Sequence, residues 1–507
     1  MRTSRLLTAV VLAALARPSL VHAQQGHDDA LRIVVTFDHR YRREPVTGSV
    51  YLLLTSELTG EPREHLGDWP MRGYVFRLDV SDWEADTPLE FGPETPGYPA
   101  SLGEIAPHKY NVQAIIDVSP TDYEFTRAHG NGRSRALRLF LDPAASGAIS
   151  VTVDTEITRN PLVDIPRVRY RRIESRSVGR TLGTRFFVTV AVVLPVGYWG
   201  HPDRRYPVQY WIPGLGERAR GAVGFFQRRG IFNPHHEDIT KIDDFIRVIL
   251  DPHARRGHHG WVDSDVNGPF MTSFFTEILP AIEEEFRIVG DSSARFLVGR
   301  GTGGLAALRL LVARPDFFAG AWALAPDPVD FHDFYGLDLY AEPPENAYVD
   351  ARGIPRPLVR KDGRDVITIR EQAAFEEIVG TGNLFQSSEA TCSPRDGRGR
   401  PRPIFDRSSG IVNRDVASHW ARHDLTRTLL ERWHEIGRHL DGKIRILVGD
   451  QDNYRLANGV TRLRAVLDDV KANAHIDVLP GVDHPGIDAP EIHRRVQREI
   501  TSIWRSR

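Results

Sequence analysis

Four glycines fall within one six-residue turn, Gly299-Arg300-Gly301-Thr302-Gly303-Gly304, between a predicted strand and a predicted helix. A glycine-flanked turn from strand to helix is typical of a nucleophile elbow, G-x-S-x-G, which holds a serine above the edge of a sheet. The spacing makes Gly299 and Gly303 the flanking pair and Gly301 the central residue. The turn therefore has the layout for acyl-transfer chemistry, but it lacks the hydroxyl that would attack.

The same glycines match a second pattern, because Gly299-x-Gly301-x-x-Gly304 has the spacing of a dinucleotide-binding loop. A dinucleotide-binding loop lies near the start of its domain, whereas this turn lies late in its domain. No Lys-[Ser/Thr] pair follows the glycines, so a P-loop is excluded as well. We therefore expect no nucleotide and no other organic cofactor.

An acid and a base follow the turn in the chain order of serine hydrolases. Asp450 and Asp452 come directly after the predicted strand Ile444–Val448. His484 comes shortly after a predicted strand that ends at Leu479. A carboxylate at the first position would orient the imidazole, and the imidazole would act as the general base. We take Asp452 as the acid and Asp450 as the second choice.

Two other carboxylates are alternative candidates for the acid that orients the histidine. Asp327 and Asp330 follow the predicted strand Ala321–Ala325, so they also lie at the end of a sheet strand. Either could replace Asp452 as the partner of the histidine.

Backbone N–H groups near the elbow could form an oxyanion hole. Gly214 and Leu215 follow the predicted strand Val208–Ile212 and could supply one donor. The N–H of Thr302, directly after the central residue of the elbow, could supply the second.

Three routes could replace the missing serine. Thr302 carries a hydroxyl one residue further along, and Cys392 carries the only thiol of the chain. In the third route, His484 and Asp452 activate a water molecule that occupies the space left at Gly301. Two alternatives remain open besides these routes: a binding protein without catalysis on the same fold, and a recent loss of the serine codon.

Two histidine-rich clusters could ligate a metal such as zinc, namely His235-His236-Glu237-Asp238 and His258-His259. Neither has the i, i+4 spacing of helical zinc ligands, and adjacent side chains usually point apart. We interpret both as polar groups of loops and expect no metal site.

The elements that must position these residues fall into two parts. Residues 31–160 are predicted to form an all-β, sandwich-like accessory domain, since strand-like segments alternate with turn residues and no long helical period intervenes. We interpret this part as a scaffold or binding module. The predicted strands are Leu31–Phe37, Ser49–Thr55, Gly73–Asp79, Asn111–Asp117, Ala136–Asp142 and Ala148–Ile157.

Residues 165–507 follow a different pattern. After two strands predicted to be joined by a glycine-containing turn, Arg167–Ile173 and Arg185–Val193, short apolar strands alternate with helices. This alternation favours a predominantly parallel sheet covered on both faces. Residues 331–425 interrupt the alternation and are rich in Pro, Gly, Arg and Asp, so we expect an insertion that caps the site.

The first 23 residues have the pattern of a signal peptide. Arg2 and Arg5 precede the apolar run Leu6–Ala16, and Val21-His22-Ala23 offers a cleavage site. The run is too short to span a bilayer, although an uncleaved anchor is the alternative. We expect a secreted or periplasmic mature chain that starts at Gln24 and has no membrane span. The net charge of −2 gives no reason to expect a nucleic-acid partner.

The chain resembles esterases of the α/β-hydrolase superfamily, related to the esterase D, enterochelin esterase and feruloyl esterase group. The resemblance covers most of the chain beyond residue 23. It implies an α/β-hydrolase fold, a small-molecule carboxylic ester as ligand, and a family elbow Gly-x-Ser-Thr-Gly-Gly in which Gly301 replaces the serine. The segments that carry it are Tyr206–Gly214, Gly257–Pro269, Arg314–Phe318, Pro326–Phe331, Gly449–Tyr454 and, in the first part, Tyr110–Ala114.

Overall fold

The computed structural model describes residues 30–506 with gaps at 67–72, 120–121, 222–223, 225, 227, 229–243 and 381. The predicted signal peptide and the cluster His235-His236-Glu237-Asp238 lie outside the described residues. Where the structure describes the chain, no helix is both long and apolar enough to cross a membrane.

The first part of the chain is one mixed sheet. Within the described residues, nine strands form it in the order β4-β1-β9-β7-β6-β2-β3-β5, with β8 beside β6. The strands are β1 (Arg32–Phe37), β2 (Val46–Thr55), β3 (Gly73–Trp83), β4 (Leu89–Phe91), β5 (Gly97–Tyr98), β6 (His108–Asp117), β7 (Gly132–Ser134), β8 (Leu137–Leu141) and β9 (Ala148–Glu156).

This sheet curls over its own core. Strands β1 and β3 are five positions apart in the sheet order, which in a flat sheet is roughly 24 Å. The rings of Phe37 on β1 and Trp83 on β3 nevertheless lie 4.8 Å apart. Curling therefore brings the inner faces of distant strands together around one apolar core, as the sandwich-like prediction requires.

The second part is built on an eight-stranded sheet, counted over the described residues, in the order β10-β11-β13-β12-β18-β19-β22-β23. Strand β11 pairs antiparallel with its neighbours, and the pairs from β13 to β23 are parallel. This is the strand order of the α/β-hydrolase fold and confirms the predicted fold class. The strands of this sheet are β10 (Val168–Glu174), β11 (Phe187–Val193), β12 (Val208–Ile212), β13 (Ile246–Leu250), β18 (Arg295–Arg300), β19 (Gly320–Leu324), β22 (Ile444–Gly449) and β23 (His475–Leu479). The described residues also form separate two-stranded sheets, which are β14 (His253–Ala254) with β15 (Gly257–His258), β16 (Asp263–Ser264) with β17 (Gly268–Pro269), and β20 (Pro357–Lys361) with β21 (Arg364–Thr368).

Helices lie between and after the strands of this second part of the chain. They are Arg176–Leu182, Phe270–Ser273, Leu279–Glu285, Thr302–Ala313, Ile369–Val379, Leu384–Cys392, Arg414–Trp420, Leu425–Leu440, Ala457–Asp469 and Pro490–Arg505, with a π-helical segment at Phe274–Ile278. Short 3₁₀ helices lie at Pro62–Glu64, Leu102–Glu104, Tyr198–Gly200, Ala219–Gly221, Ser292–Ala294, Phe331–Asp333, Ala421–His423 and Gly486–Asp488.

The predicted turn between β10 and β11 is wrong, because the connection is the helix Arg176–Leu182. The Ser175 side chain accepts a hydrogen bond from the N–H of Val178 and so caps the first turn. Gly183 ends the helix with a φ of 69°. Gly183 therefore ends a helix and does not form a hairpin turn.

The segment between β19 and β22 supplies a helical layer above the sheet. Its helix Ile369–Val379 packs on the accessory sheet, where the hydroxyl of Tyr51 donates to the carbonyl of Val379 at 2.9 Å. Its helix Leu384–Cys392 packs on the strand Gly257–His258, where the N–H of His258 donates to Ser387 Oγ at 3.0 Å. The segment thus contacts both parts of the molecule.

A cluster of charges joins the accessory sheet to the loop after β12. Asp122 Oδ1 of the accessory part lies 2.9 Å from His253 Nε2, and its Oδ2 pairs with Arg159 at 2.6 Å. Burial alone would raise the pKa of Asp122, but His253, Arg218 and Arg159 hold it well below its usual range. Arg218, which follows the loop, also pairs with Asp251 at 3.2 Å. The accessory sheet therefore anchors the loop that runs beside the elbow.

Candidate active site

The elbow depends on two glycines that pack directly against the backbone of neighbouring residues. A Cβ on Gly303 would overlap the carbonyl oxygens of Ile212 and Pro213, and a Cβ on Gly299 would overlap the carbonyl of Gly303. Strand β18 and the elbow helix, Thr302–Ala313, can approach the end of β12 this closely only because both positions lack side chains. The flanking glycines predicted from the sequence are therefore sterically required.

Gly301 occupies the centre of the turn in a conformation that L-residues rarely adopt, with φ 55° and ψ −125°. A Cβ built on it meets only ordinary contacts, 3.6 Å from Asp327 Oδ1 and 4.0 Å from His484 Nε2. The space of a side chain is thus present at Gly301, and it opens toward a carboxylate and an imidazole.

His484 is held in one orientation by its neighbours. Its Nδ1–H donates to Asp452 Oδ2 at 2.7 Å, and its backbone N–H donates to Asn453 Oδ1 at 2.9 Å. Asp452 is completely buried and also accepts from the N–H groups of Tyr454 and Leu456 at 2.9 and 3.3 Å. The hydrogen on Nδ1 leaves Nε2, which faces Gly301, able to accept a proton.

The structure places the other carboxylates proposed as the acid elsewhere. Asp450 Oδ1 accepts from the N–H of Gly481 at 2.8 Å. Asp330 caps a short helix by accepting from the N–H of His332 at 2.9 Å. Of the candidate acids, Asp452 is the one that hydrogen-bonds the imidazole.

Asp327 borders the same side-chain position at Gly301 as His484 does. Its Oδ2 accepts from the Thr302 hydroxyl at 2.6 Å, and its backbone N–H donates to Gly301 O at 3.1 Å. Burial raises the pKa of Asp327 above its usual value, although the hydrogen bond from Thr302 and the charge of His484 partly lower it. Burial and the neighbouring Asp327 also raise the pKa of Tyr335 well above its usual value. A buried carboxylate with a raised pKa therefore borders the space at Gly301.

The N–H groups predicted for an oxyanion hole belong to Gly214, Leu215 and Thr302, of which Leu215 and Thr302 line the same cavity. The N–H of Gly214 donates to Glu217 Oε2 at 3.1 Å, so this group is engaged within its own loop. Leu215 is the next residue of the loop, and Thr302 is the first residue of the elbow helix, where backbone N–H groups lack helical partners. The N–H groups of Leu215 and Thr302 therefore remain the candidate donors.

His258 fixes the carbonyl that precedes these donors, a role that sequence reasoning missed. Its Nδ1 accepts from the N–H of Gly260 at 2.9 Å, so its Nε2 carries the hydrogen and donates to Pro213 O at 3.0 Å. Burial lowers the pKa of His258 to about 4, which keeps the ring neutral. His259 is also buried and stacks on Phe270 at 3.6 Å. Both histidines are therefore parts of the core and not polar groups of a loop.

The side chains considered as replacement nucleophiles have other partners. The Thr302 hydroxyl is bound to Asp327. The Cys392 thiol is buried, which raises its pKa, and it contacts Arg309 near the far end of the elbow helix. Among the residues that the structure describes, no three His, Cys, Asp or Glu side chains lie close enough together to hold a metal ion.

A glycine elbow at the end of β18, an acid after β22 and a histidine after β23 define an α/β-hydrolase. The chain belongs to the esterase family, because the family described as "Putative esterase" matches residues 184–453, more than half of the chain.

Esterase Rv1288 of Mycobacterium tuberculosis is 28% identical over 193 residues, which are 37% of this chain and 38% of that relative. The match thus spans little more than a third of the curated relative. A solved ferulic acid esterase is 15% identical, with a TM-score of 0.41 over 66% of this chain and 98% of that one. An S-formylglutathione hydrolase from Staphylococcus aureus is 12% identical, with a TM-score of 0.38 over 66% and 99%.

The raised pKa of Asp327 predicts that this carboxylate costs stability when it is ionised. We expect Asp327→Asn to melt at a higher temperature than the natural protein above the folded-state pKa of Asp327. The difference should close as the pH falls through that value to the ordinary aspartate range, because the folded protein then takes up the proton that relieves the cost. Thermal melts from pH 8 downward measure this.

Asp316→Asn is the control, since the side chain of Asp316 is 62% exposed. It should change the melting temperature little at any of these pH values. A pH-independent difference for Asp327→Asn, or a lower melting temperature at neutral pH, would contradict the assignment.

Proposed function

We propose that this chain hydrolyses small carboxylic esters outside the cytoplasm by direct attack of water, without an acyl-enzyme. The observation that carries the proposal is the orientation of His484, which Asp452 holds at 2.7 Å with Nε2 facing the empty side-chain position of Gly301. A water molecule at that position is the nucleophile, and His484 is its general base.

The proton and electron pairs balance in two steps. The water oxygen attacks the ester carbonyl carbon while His484 Nε2 takes the proton, and the buried Asp452 stabilises the imidazolium. The N–H groups of Leu215 and Thr302 hydrogen-bond the carbonyl oxygen as it becomes an oxyanion. The oxyanion then collapses, the C–O bond to the alcohol breaks, and the imidazolium protonates the departing alkoxide.

Slow turnover is expected from such a site. Serine hydrolases that lose a member of the triad keep roughly 10³–10⁴-fold catalysis over water, which comes from the oxyanion hole and binding. The natural protein should fall in this range, because it lacks the covalent step but keeps the base and the N–H donors.

The Gly301→Ser variant should hydrolyse a short-chain p-nitrophenyl ester at least about 100-fold faster than the natural protein. The added hydroxyl lies within reach of His484 Nε2 and restores a covalent nucleophile. It should also react with a fluorophosphonate probe, whereas the natural protein should not. His484→Ala should remove the remaining activity of the natural protein.

Matched controls are Gly200→Ser, at an exposed glycine with open space around it, and His434→Ala, at a histidine whose side chain is 76% exposed. Both should leave hydrolysis and labelling unchanged. The proposal fails if natural and His484→Ala proteins hydrolyse the ester equally fast. It also fails if Gly301→Ser neither labels nor gains activity.

A second candidate function is binding of an ester or related acyl ligand without catalysis. The observation that favours it is the absence of a nucleophile at Gly301 in an otherwise assembled elbow. In that case the natural protein binds the ligand without turnover, and only Gly301→Ser hydrolyses it.

The proposal of an extracytoplasmic location rests on the sequence of residues 1–23, with its basic start, apolar run and cleavage site. Expression in a bacterial host with an export pathway should yield a mature chain that starts at Gln24 outside the cytoplasm, as read by N-terminal mass spectrometry. A full-length chain that remains in the cytoplasmic fraction would contradict this location.

A further inference from the structure

The side-chain position at Gly301 faces two hydrogen-bond acceptors. A Cβ built there lies 4.0 Å from His484 Nε2 and 3.6 Å from Asp327 Oδ1. Among the described residues, and leaving aside the two chain neighbours of Gly301, no other heavy atom lies within 4.0 Å of this position. His484 is the general base of the proposed function, and Asp327 is a second acceptor beside it.

Hydrogen bonds to the elbow fix the Asp327 carboxylate. Its Oδ2 accepts from the Thr302 hydroxyl at 2.6 Å, and its backbone N–H donates to Gly301 O at 3.1 Å. Because the bond from Thr302 uses Oδ2, the other oxygen, Oδ1, is the one that borders the side-chain position at Gly301. Asp327 therefore presents an acceptor of fixed position to whatever occupies that space.

The backbone just before Asp327 has an uncommon conformation. Ala325 has a φ of 41°, in the left-handed region where residues with a Cβ rarely lie. Its N–H donates to Leu447 O at 2.7 Å, so strand β22 fixes it there. Strained residues of this kind cluster at functional sites, where the surrounding structure holds them. Asp327 is the first ionisable residue after this strained position, and its backbone bonds the elbow at Gly301.

The position of Asp327 is unfavourable for its charge. Burial raises the pKa of Asp327, so the folded protein disfavours the ionised carboxylate relative to water. An asparagine would have nearly the same shape without this cost. Carboxylates with perturbed pKa values beside a reacting position are typical of active sites.

A water molecule is held in one orientation when each of its two hydrogens has an acceptor. Hydrogen bonds join heavy atoms about 2.7–3.2 Å apart, so a water oxygen bonded to both groups lies closer to them than the Cβ position by roughly 1 Å. One hydrogen then points to His484 Nε2 and the other to Asp327 Oδ1. A lone pair of the same oxygen remains to attack the ester carbonyl.

We propose that Asp327 is a second catalytic residue, which holds and orients the attacking water together with His484. The inference rests on the proposed function, because it needs a water nucleophile beside Gly301. When the water attacks, one hydrogen passes to His484 Nε2 and the other stays on the oxygen, bonded to Asp327. That oxygen and hydrogen become the hydroxyl of the carboxylic acid product, so Asp327 itself gains no proton in this step.

Competition between water and methanol tests the role of Asp327. Methanol has one O–H hydrogen, which His484 takes, so it needs no second acceptor. The natural protein, given a p-nitrophenyl ester in aqueous methanol, should form both the acid and the methyl ester. Asp327→Asn should lower the ratio of acid to methyl ester about tenfold, which is the effect of one hydrogen bond to a charged group. Chromatography measures both products after subtraction of the uncatalysed yields.

The ratio of the two products within one variant does not depend on how much of the protein is folded. Asp330→Asn is the matched control, because Asp330 is a buried aspartate three residues further along. Asp330 caps a short helix, and asparagine caps a helix as well, so this variant should keep the natural ratio. If Asp327→Asn does not fold, Asp327→Ala decides, because it removes both carboxylate oxygens.

The failure of this inference is distinct from that of the proposed function. An unchanged ratio in the Asp327 variant, with two products that both require His484, overturns the role of Asp327 and leaves the esterase site in place. A ratio that falls equally in Asp330→Asn overturns the role of Asp327 as well. If the natural protein forms neither product above the uncatalysed level, the proposed function fails and the inference fails with it.

Discussion

The close backbone packing of strand β18, the elbow helix and the end of β12 is the constraint on which the site depends. Gly299 and Gly303 permit that packing, because a Cβ on either would overlap a carbonyl oxygen. This packing constrains the backbone of the turn between them, in which Gly301 has a φ of 55°. His484 Nε2 and Asp327 Oδ1 both lie within 4.0 Å of the side-chain position at this residue.

A glycine at the centre of this turn changes the energetics as well as the chemistry. A residue with a side chain costs roughly 1–3 kcal/mol at such a backbone conformation, a strain that glycine avoids. The natural protein is thus relaxed where a serine hydrolase is strained. The hydrogen bond between Asp452 and His484 orients the imidazole toward the space beside Gly301. In the proposed function, this site positions and polarises an ester but has no side chain that bonds to it.

The sequence was sufficient to name Gly301, Asp452 and His484, since each follows a buried strand and parallel strands end at the same edge of a sheet. The structure brings these three together. The sequence could not reveal the role of His258, whose burial depends on the distant insertion helix that packs over it. Tertiary packing, and not local pattern, determines this contact.

The central claim is that His484 activates a small nucleophile in the space beside Gly301. Chemical complementation with methanol tests this claim most directly, because methanol is the free analogue of the CH2OH side chain of serine. Methanol added to the natural protein and a p-nitrophenyl ester should fill the space at Gly301, pass its proton to His484 and form the methyl ester. The account predicts saturable methyl-ester formation that His484→Ala abolishes, measured by chromatography of the products. No methyl ester above the uncatalysed level, or the same yield from His484→Ala, would contradict it.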